Sequence, residues 1–541
     1  MRFLGAATTT AFAAAVLPGV VLGQCEGGEE VVPGQHLGTP INNTLPVTHI
    51  FSEVTYFKVK DPLGEHVCTD DPGSDFSLIN YSSLNSTRQR PPNNAIQRAV
   101  IVCHGLRRDP QNYHAGMLNA LIKATQSDPE ISVDTVAVVA PFFPNGNDRG
   151  TAFPYFPDGE RQADRYPSPA LVWSNTAWAA GAVNQYPPHR ETVASYHALD
   201  QLLQWYGNTT RFPNMRQIVV AGHSLGAQLV QRYAAVGYTP QQLGLEVPVS
   251  WWVGDPNSMV WLSSERPLST GKCPTYDDYE AGYNNYNTFG ADRSGPMTYN
   301  LELVAAGRDA IRANFEGKAI NWGRASRDKG DQSNGDCAPY TTGQDRYERF
   351  YEFIRAFPPS CEDPSGDNCD TVDIVESGHD APTMFESEAG LARLFRDNWA
   401  GDGARAYDFG YPRRTTFDDP HPDPAHAGDA LLHVDDNVYA GNMTWRGCFT
   451  DVDNAQSVGS LPFRAYVGPL NSRTHCTAVC AQAGYTIAGV SWEYCYCGNA
   501  VGSQTVEVVS TSCEGPCPGD SAQTCGGPNR LSIFASGSLR P

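Results

Sequence analysis

The residue best placed to do covalent chemistry is Ser224, in the segment GHSLG at positions 222–226. A β-branched run at 218–220 precedes this segment, and apolar residues follow at helical spacing over 229–234. This order predicts a strand, a sharp turn and a helix, with glycines that let strand and helix pack closely and a serine projecting from the turn. An ordinary glycine-rich turn with a solvent-exposed serine is the alternative. The pattern favours a nucleophile for acyl transfer.

A serine hydroxyl needs a histidine to take its proton and an acid to orient that histidine. On a turn of this kind, the acid and then the histidine follow the serine along the chain. His379 fits this order because it ends the strand-like run 372–378 and precedes a predicted helix over 386–399. The histidines between 418 and 435 fall in an irregular stretch rich in proline and aspartate. We therefore predict His379 as the base, with a hydrogen-bonded loop histidine as the alternative.

Several aspartates compete for the role of the acid. Asp328 follows a strand-like run at 318–322 and precedes His379, so it is the preferred candidate. Asp331 lies further along the same loop and is the second choice. Asp255 ends the apolar run 247–253 and could orient the histidine from the preceding strand, and Asp336 also remains a competitor.

Two backbone amides should hold the negatively charged oxygen that forms during acyl transfer. The amide of Leu225, directly after the serine, is the first. The second should come from the loop after the predicted strand 99–103, where Gly105 or Leu106 is the candidate. His104 in that loop is predicted to be structural.

Buried strands at 99–103 and 135–140, together with the strand before Ser224, predict an α/β domain with a mostly parallel sheet and helices on both faces. An insertion at about 259–315 is rich in Tyr, Asn and Gly and is predicted to form a cap. Its tyrosines could stack on rings or sugars, or could serve only to pack loops. They are Tyr276, Tyr279, Tyr283 and Tyr286.

Composition and the N-terminal segment bear on where the protein acts. Residues 1–23 combine one arginine, an apolar stretch and small residues, which predicts a cleaved signal peptide and secretion. The net charge of −21 argues against nucleic-acid binding and against anionic membranes. We expect no membrane anchor, cofactor or metal. Glycosylation sequons, which agree with secretion, begin at Asn42, Asn80, Asn85, Asn208 and Asn442.

The cysteines divide the chain into two parts. The last hundred residues hold an even number of cysteines in a loop-rich segment, which predicts a disulfide framework rather than a zinc site. In the larger part, Cys361 and Cys369 are predicted to pair locally, and Cys103 is predicted to be a buried free thiol. The partners of the remaining cysteines stay open. The C-terminal set comprises Cys448, Cys476, Cys480, Cys495, Cys497, Cys513, Cys517 and Cys525.

The motifs GHSLGAQLVQRYAA, DPNS at 255–258 and GHDAPTMF at 378–385 resemble those of secreted members of the α/β-hydrolase superfamily, over roughly residues 51–400. The resemblance implies the α/β-hydrolase fold and a Ser-His-Asp triad. It also places Asp255 at a usually non-catalytic asparagine.

The segment 447–536 resembles a WSC domain, a cysteine-rich module of fungal wall sensors and secreted enzymes, through GCFTD, CYCGN, CGGPNRL and all eight cysteines. The resemblance implies binding of cell-wall polysaccharide, although Trp492, Tyr494 and Tyr496 could simply fill a small core. The predicted organisation is a signal peptide at 1–23, a hydrolase domain at 24–400, a linker at 401–444 and a WSC-like domain at 445–541.

Together these features predict a secreted serine hydrolase, foremost a carboxylic ester hydrolase that acts on an ester-containing small molecule or a wall-associated substrate. Cleavage of a lactone, a peptide or a secondary metabolite on the same fold is an alternative. A non-catalytic protein that binds wall carbohydrate is the alternative from another class.

Overall fold

The computed structural model describes most of the chain, with several gaps. The predicted signal peptide, Asn42, Asp331, Cys361, Cys369 and most of the predicted linker lie outside the described residues. The described residues are 30–31, 45–62, 76–148, 170–187, 192–292, 295–328, 330, 336–359, 370–375, 377–404, 435, 437–451, 460–503, 505–508, 510–527 and 529–539.

A nine-stranded mixed sheet organises the larger domain, in the order β1-β2-β3-β5-β4-β6-β7-β8-β9. The six strands β5-β4-β6-β7-β8-β9 are parallel to one another. At the β5 edge, β3, β2 and β1 continue the sheet with antiparallel pairing. The strands are β1 Glu30–Val31, β2 Ser52–Val59, β3 Phe76–Ser83, β4 Arg98–Cys103, β5 Val136–Pro141, β6 Gln217–His223, β7 Val249–Gly254, β8 Ala319–Ala325 and β9 Thr371–Val375.

Helices cover both faces of the sheet because its central strands are apolar on both sides. Ile101 of β4 packs in a core shared with α2, α3, α5 and α6, whereas its neighbour Val102 packs in a core shared with α1, α7 and α8. The helices are α1 Pro110–Ser127, α2 Ser195–Gly207, α3 Leu225–Val236, α4 Leu301–Ala306, α5 Arg308–Glu316, α6 Arg346–Ala356, α7 Ala381–Glu386 and α8 Glu388–Leu391. A mostly parallel sheet with helices on both faces agrees with the predicted fold class.

The helical segment after His379 differs from the prediction of one helix over 386–399. It begins earlier, at α7, where the Asp380 side chain accepts a hydrogen bond from the Thr383 amide. Ser387 interrupts it with an extended backbone and caps α8 through the Gly390 amide. A π-helical turn over Ala392–Arg396 then ends the segment.

The insertion at 259–315 is mostly irregular, with α4 and α5 at its end. Tyr279 and Tyr286 are buried with ring centroids 4.5 Å apart, and Tyr279 donates a hydrogen bond to the Ala180 carbonyl. Tyr283 is also buried, and Tyr276 is half-buried. The buried tyrosines therefore pack the insertion onto the domain, which favours packing over stacking on a ligand.

The C-terminal domain is a small disulfide-rich unit. Its sheet has the order β10-β11-β18-β13-β14-β12, with β15 paired to β11 and a separate hairpin of β16 and β17. Because β10 pairs with β11, this unit begins upstream of residue 445. Its elements are β10 Val438–Tyr439, β11 Met443–Thr450, β12 Phe463–Val467, α9 Arg473–Gln482, β13 Ile487–Ser491, β14 Tyr494–Gly498, β15 Glu507–Val508, β16 Pro516–Cys517, β17 Asp520–Thr524 and β18 Arg530–Ala535.

The C-terminal cysteines form the predicted disulfide framework, and Cys103 is the predicted buried free thiol. In the larger domain Cys273 pairs with Cys337, a pairing that the sequence left open. The four C-terminal pairs are Cys448–Cys513, Cys476–Cys495, Cys480–Cys497 and Cys517–Cys525. Across the described part of the chain, every helix is too short or too polar to span a bilayer.

Candidate active site

Ser224 lies on a strained turn between β6 and α3, with φ of 61° and ψ of −122°. This backbone conformation is unfavourable for a residue other than glycine. A side chain at Gly222 would collide with the Gly226 backbone, and one at Gly226 would collide with the Cys103 carbonyl at the end of β4. The two glycines are thus required by close packing, and the turn presents Ser224 at the carboxyl edge of the sheet.

His379 follows β9 and lies between Ser224 and Asp328. Its Nε2 is 2.8 Å from Ser224 Oγ, and its Nδ1 is 2.8 Å from Asp328 Oδ2. Because an ionised carboxylate can only accept, the proton on His379 belongs on Nδ1, which leaves Nε2 to accept from the serine hydroxyl. The structure therefore brings together the predicted serine, base and preferred acid in one hydrogen-bonded chain.

Asp328 lies three residues beyond the end of β8 and is held by two arginines. Arg346 Nη1 donates to both carboxylate oxygens at 3.0 Å, and Arg324 donates to the Asp328 carbonyl. Burial by itself would raise the pKa of Asp328. The hydrogen bond from His379 and the positive charges of Arg324 and Arg346 outweigh it and hold the pKa well below the usual value. Asp328 is therefore ionised at neutral and mildly acidic pH.

Asp255 lies directly after β7 and approaches the same histidine less closely. Its Oδ2 is 3.9 Å from His379 Nδ1, beyond hydrogen-bond distance. Its Oδ1 accepts from the Ala325 amide at 2.8 Å and lies 3.1 Å from Arg324 Nη1. Asp255 is completely buried and links the end of β7 to β8. Asp328, and not Asp255, is therefore the acid that is hydrogen-bonded to His379.

His223, the residue before the nucleophile, lies behind the base. Its ring centroid is 4.6 Å from that of His379, and its Nε2 is 3.8 Å from Asp255 Oδ2. Burial lowers the pKa of His223, although contact with Asp255 partly opposes this effect. A neutral His223 keeps additional positive charge away from the base.

The loop after β4 runs beside Ser224, as predicted for the second amide donor. His104 is fully buried, accepts from the Phe143 amide at Nε2 and therefore donates from Nδ1 to the Gly105 carbonyl, at 3.0 Å in each case. Burial lowers the pKa of His104 to about 3, so the residue is neutral and its two hydrogen bonds hold the loop in place. This agrees with the structural role predicted for His104. A side chain at Gly105 would overlap the hydroxyl of Tyr113 and lie 3.7 Å from Ser224 Cβ.

The candidate amide donors differ in their surroundings. Leu225 is the first residue of α3, where amides have no partner within the helix. Leu106 is 47% exposed, whereas Gly105 is buried beneath Tyr113. A Cβ at Gly105 would lie 3.7 Å from Ser224 Cβ, so this part of the β4 loop adjoins the nucleophile.

His223, Asp255 and His379 offer ligand atoms that all lie within 4.8 Å of one another, a spacing that could hold a metal ion. In this site both nitrogens of His379 are already hydrogen-bonded, to Ser224 and to Asp328. The cysteines that cluster in the C-terminal domain are joined in disulfides. The arrangement at His379 is thus suited to proton transfer.

Only some of the sequons occupy positions that a glycan could reach. The Asn80 side chain lies within β3 and is 1% exposed, so the folded protein does not present this sequon to solvent. An oligosaccharide there would disrupt the pairing of β3 with its neighbours. Asn208 and Asn442 are exposed, and Asn85 is half-buried.

The sequence reasoning missed Arg324, Arg346 and Tyr113. Arg346 belongs to the segment RYERF, where alternating charges and aromatics resemble an ordinary surface helix. It is nevertheless 3% exposed and contacts Asp328. No periodicity distinguishes a buried arginine of this kind from a solvated one.

Residues 445–527 match the WSC domain family, so the chain carries a C-terminal WSC domain. A protein of Chaetomium globosum is 34% identical over 104 residues, which cover 18% of this chain and 44% of that protein. A WSC domain-containing protein of Arthroderma benhamiae is 37% identical over 121 residues, which cover 22% of this chain and 13% of that protein. The chain thus spans less than half the length of these curated relatives.

Solved structures similar to this chain include a hydrolase and an esterase. A poly(aspartic acid) hydrolase from Sphingomonas sp. KT-1 has a TM-score of 0.34 at 13% identity and covers 58% of this chain and 93% of its own. One of two fungal esterases from Rhizomucor miehei has a TM-score of 0.31 at 12% identity and covers 66% and 86% respectively. These TM-scores are low, so the description of the fold depends on the strand order of the sheet and not on these structures.

Proposed function

We propose that this protein is a secreted serine hydrolase of the α/β-hydrolase fold, and within that class a carboxylic ester hydrolase. The observation that carries the proposal is the hydrogen-bonded chain Ser224–His379–Asp328, with both links at 2.8 Å. A serine on a strained turn, a histidine in the correct tautomer and a buried ionised acid are the parts that nucleophilic acyl transfer requires.

In the proposed mechanism, Ser224 Oγ attacks the carbonyl carbon of the ester while His379 Nε2 takes the hydroxyl proton. Asp328 holds the His379 ring and stabilises the imidazolium that forms. The amide of Leu225, with that of Gly105 or Leu106, stabilises the oxyanion. The alkoxide leaves as an alcohol with the proton from His379, and water then releases the acid from the acyl-enzyme by the same steps.

A fluorophosphonate probe tests this proposal directly, because it labels only activated serines. We expect stoichiometric labelling of Ser224, found by intact mass and peptide mapping, and no labelling of the Ser224→Ala variant. A labelled protein would then be assayed on soluble esters, lactones and peptides. Absence of labelling in folded wild-type protein would overturn the hydrolase proposal.

A second proposed function, binding of cell-wall polysaccharide, comes from the WSC domain. Trp492, in the turn between β13 and β14, is 48% exposed, and Tyr494 and Tyr496 are half-buried with ring centroids 6.3 Å apart. Exposed and partly exposed aromatics on one hairpin provide a surface on which sugar rings can stack.

Depletion of the full-length Ser224→Ala variant from solution by insoluble glucan, chitin or xylan tests this second function. The Ser224→Ala background prevents hydrolysis from obscuring binding. We expect retention on at least one polysaccharide, and weaker retention when Trp492→Ala is added. Full recovery of the Ser224→Ala variant in the unbound fraction with all three polymers would contradict this second function.

A further inference from the structure

Helix α6 lies between the proposed catalytic acid and the C-terminal domain. Its first residue, Arg346, is the one that donates to both carboxylate oxygens of Asp328. Arg346 Nε also donates to Asn257 Oδ1 at 3.1 Å, in the loop after β7. The guanidinium is therefore fixed between two loops of the site, and the position of Asp328 depends on the position of the first turn of α6.

Two residues further along the same turn, Glu348 forms an ion pair with Arg530 of the C-terminal domain. Arg530 Nε donates to Glu348 Oε1 at 3.1 Å, and its Nη2 contacts the same oxygen. Both side chains are 3% exposed, so this pair is shielded from water and salt. An ion pair between two domains at such burial fixes their relative position at this point.

Glu348 is also part of the structure that starts α6. Its amide donates to the Asp345 side chain at 2.8 Å, and its Oε2 accepts from the Gln344 amide at 2.9 Å. These two bonds, one to Asp345 and one from Gln344, hold the first helical turn in place. Arg530 completes the set by neutralising the Glu348 carboxylate, so a residue of β18 stabilises the turn that carries Arg346.

Other residues of the C-terminal domain contact the same region. Tyr347 is buried near Glu514, and burial together with that negative charge raises the pKa of Tyr347 to about 12. The Arg324 guanidinium lies 5.7 Å from the centroid of the Tyr347 ring. Leu268 packs against the Cys448–Cys513 disulfide and Val508. The C-terminal domain is thus docked on the first turn of α6, which carries Arg346, and on the insertion near Leu268.

We infer that Arg346 is a positioning residue for Asp328 and that Arg530 of the WSC domain supports it through the first turn of α6. The WSC domain is then part of the catalytic structure even for small soluble substrates, beyond any role in binding polysaccharide. This inference rests on the proposed function, because it assigns Asp328 to the acid that orients His379.

The test is the rate of fluorophosphonate labelling of full-length protein, measured from pH 4 to pH 9. We expect Arg530→Gln to slow labelling at the plateau by about tenfold, since a small displacement of an orienting group weakens the alignment of serine and base. Arg346→Gln should slow it by about a hundredfold. In both variants Asp328 loses some or all of its contact with Arg346 and becomes easier to protonate, so the rate relative to wild type should fall further at pH 4 than at the plateau.

The matched control is Glu507→Gln. Glu507 lies in the same domain near Arg355, which is in the last turn of α6 and far from Asp328 along the helix. This variant changes a charge on the same interface, and it should keep the wild-type labelling rate and pH profile. A loss in Glu507→Gln as large as that in Arg530→Gln would overturn the proposed route through the first turn.

Arg530→Gln leaves Glu348 buried without its partner, which could prevent folding. The double variant Glu348→Gln/Arg530→Gln removes both charges together and addresses this problem. It should fold, as judged by thermal melting, and should still label about fivefold more slowly than wild type. A folded variant with the wild-type rate and profile would overturn the inference, whereas wild-type protein without labelling would overturn the proposed function instead.

Discussion

Arg346 Nη1 lies 3.0 Å from each carboxylate oxygen of Asp328, and one of those oxygens is 2.8 Å from His379 Nδ1. The carboxylate is therefore bound by a permanent cation as well as by the histidine. Asp255, the other acid near this histidine, lies 3.9 Å from the same nitrogen. Mutation of the two aspartates should therefore lower activity to different extents.

Asp328→Asn should lower kcat/KM by about 10³-fold to 10⁴-fold, because an amide no longer favours the His379 tautomer that accepts from Ser224. Asp255→Asn should lower it by less than about tenfold, since its carboxylate is beyond hydrogen-bond distance of His379. Kinetics on a soluble ester at saturating and limiting concentrations would measure both effects. The assignment would have to be reversed if folded Asp255→Asn lost more activity than Asp328→Asn.

Gly226→Ala should destabilise the protein by about 1–3 kcal/mol and abolish labelling of Ser224, because its methyl group would collide with the Cys103 carbonyl. Urea denaturation and probe labelling measure the two effects. Gly146→Ala is the matched control, since nothing lies within 4 Å of the position its methyl group would take. Wild-type stability and labelling of Gly226→Ala would show that close packing at the turn is unnecessary.

The pKa of Asp328 predicts how stability depends on pH. This pKa is lower in the folded protein than its ordinary value of 3.8, so the folded state favours the ionised carboxylate. The resulting stabilisation is fully present above pH 3.8 and is lost as pH falls from there towards the folded-state pKa. Compared with Asp328→Asn, wild type should be more stable by on the order of 2 kcal/mol at pH 6.

Urea denaturation of both proteins at several pH values between 2.5 and 6 would measure this difference. The advantage of wild type should shrink below pH 3.8 and remain constant above about pH 5. A difference between the two proteins that does not change over this range would contradict the proposed charge stabilisation of Asp328.

The disulfides of the WSC domain should contribute unequally to stability. Replacing Cys448 and Cys513 by alanine opens a loop with a sequence separation of 65, whereas replacing Cys517 and Cys525 opens one of only 8. Loop-closure entropy predicts losses of about 4 and about 2.5 kcal/mol respectively. Calorimetry and limited proteolysis of the two double variants would test the order, and a larger loss for the shorter loop would contradict it.

Cys103 should be unreactive in the native protein, because burial raises the pKa of its thiol and keeps alkylating reagents away. Peptide mapping after iodoacetamide treatment should show modification of Cys103 only when the protein is unfolded first. Rapid modification under native conditions would mean that β4 opens readily.

The sequence predicted the features that depend on neighbouring residues. The segment around Ser224 contains its own strand, turn and helix, and Gly222 is required by the backbone of Gly226 within that segment, whereas Gly226 is required by the neighbouring strand β4. The C-terminal cysteines likewise identified a disulfide framework, because an even number in a short segment is characteristic of one. The prediction of one helix over 386–399 is wrong, because Asp380 caps a helix that begins at 381 and Ser387 interrupts the helical segment with an extended backbone.

The features that depend on distance through space could not be obtained from the order of residues. Several aspartates lie between the serine and the histidine along the chain, so chain order alone does not select the acid. Only the fold brings Asp328 to 2.8 Å from His379 and leaves Asp255 at 3.9 Å. Nothing in the order of residues indicates that Arg530 meets Glu348, which is 182 residues away. Local patterns determine which elements form, whereas the energy of a buried charge depends on which partner the tertiary structure brings to it.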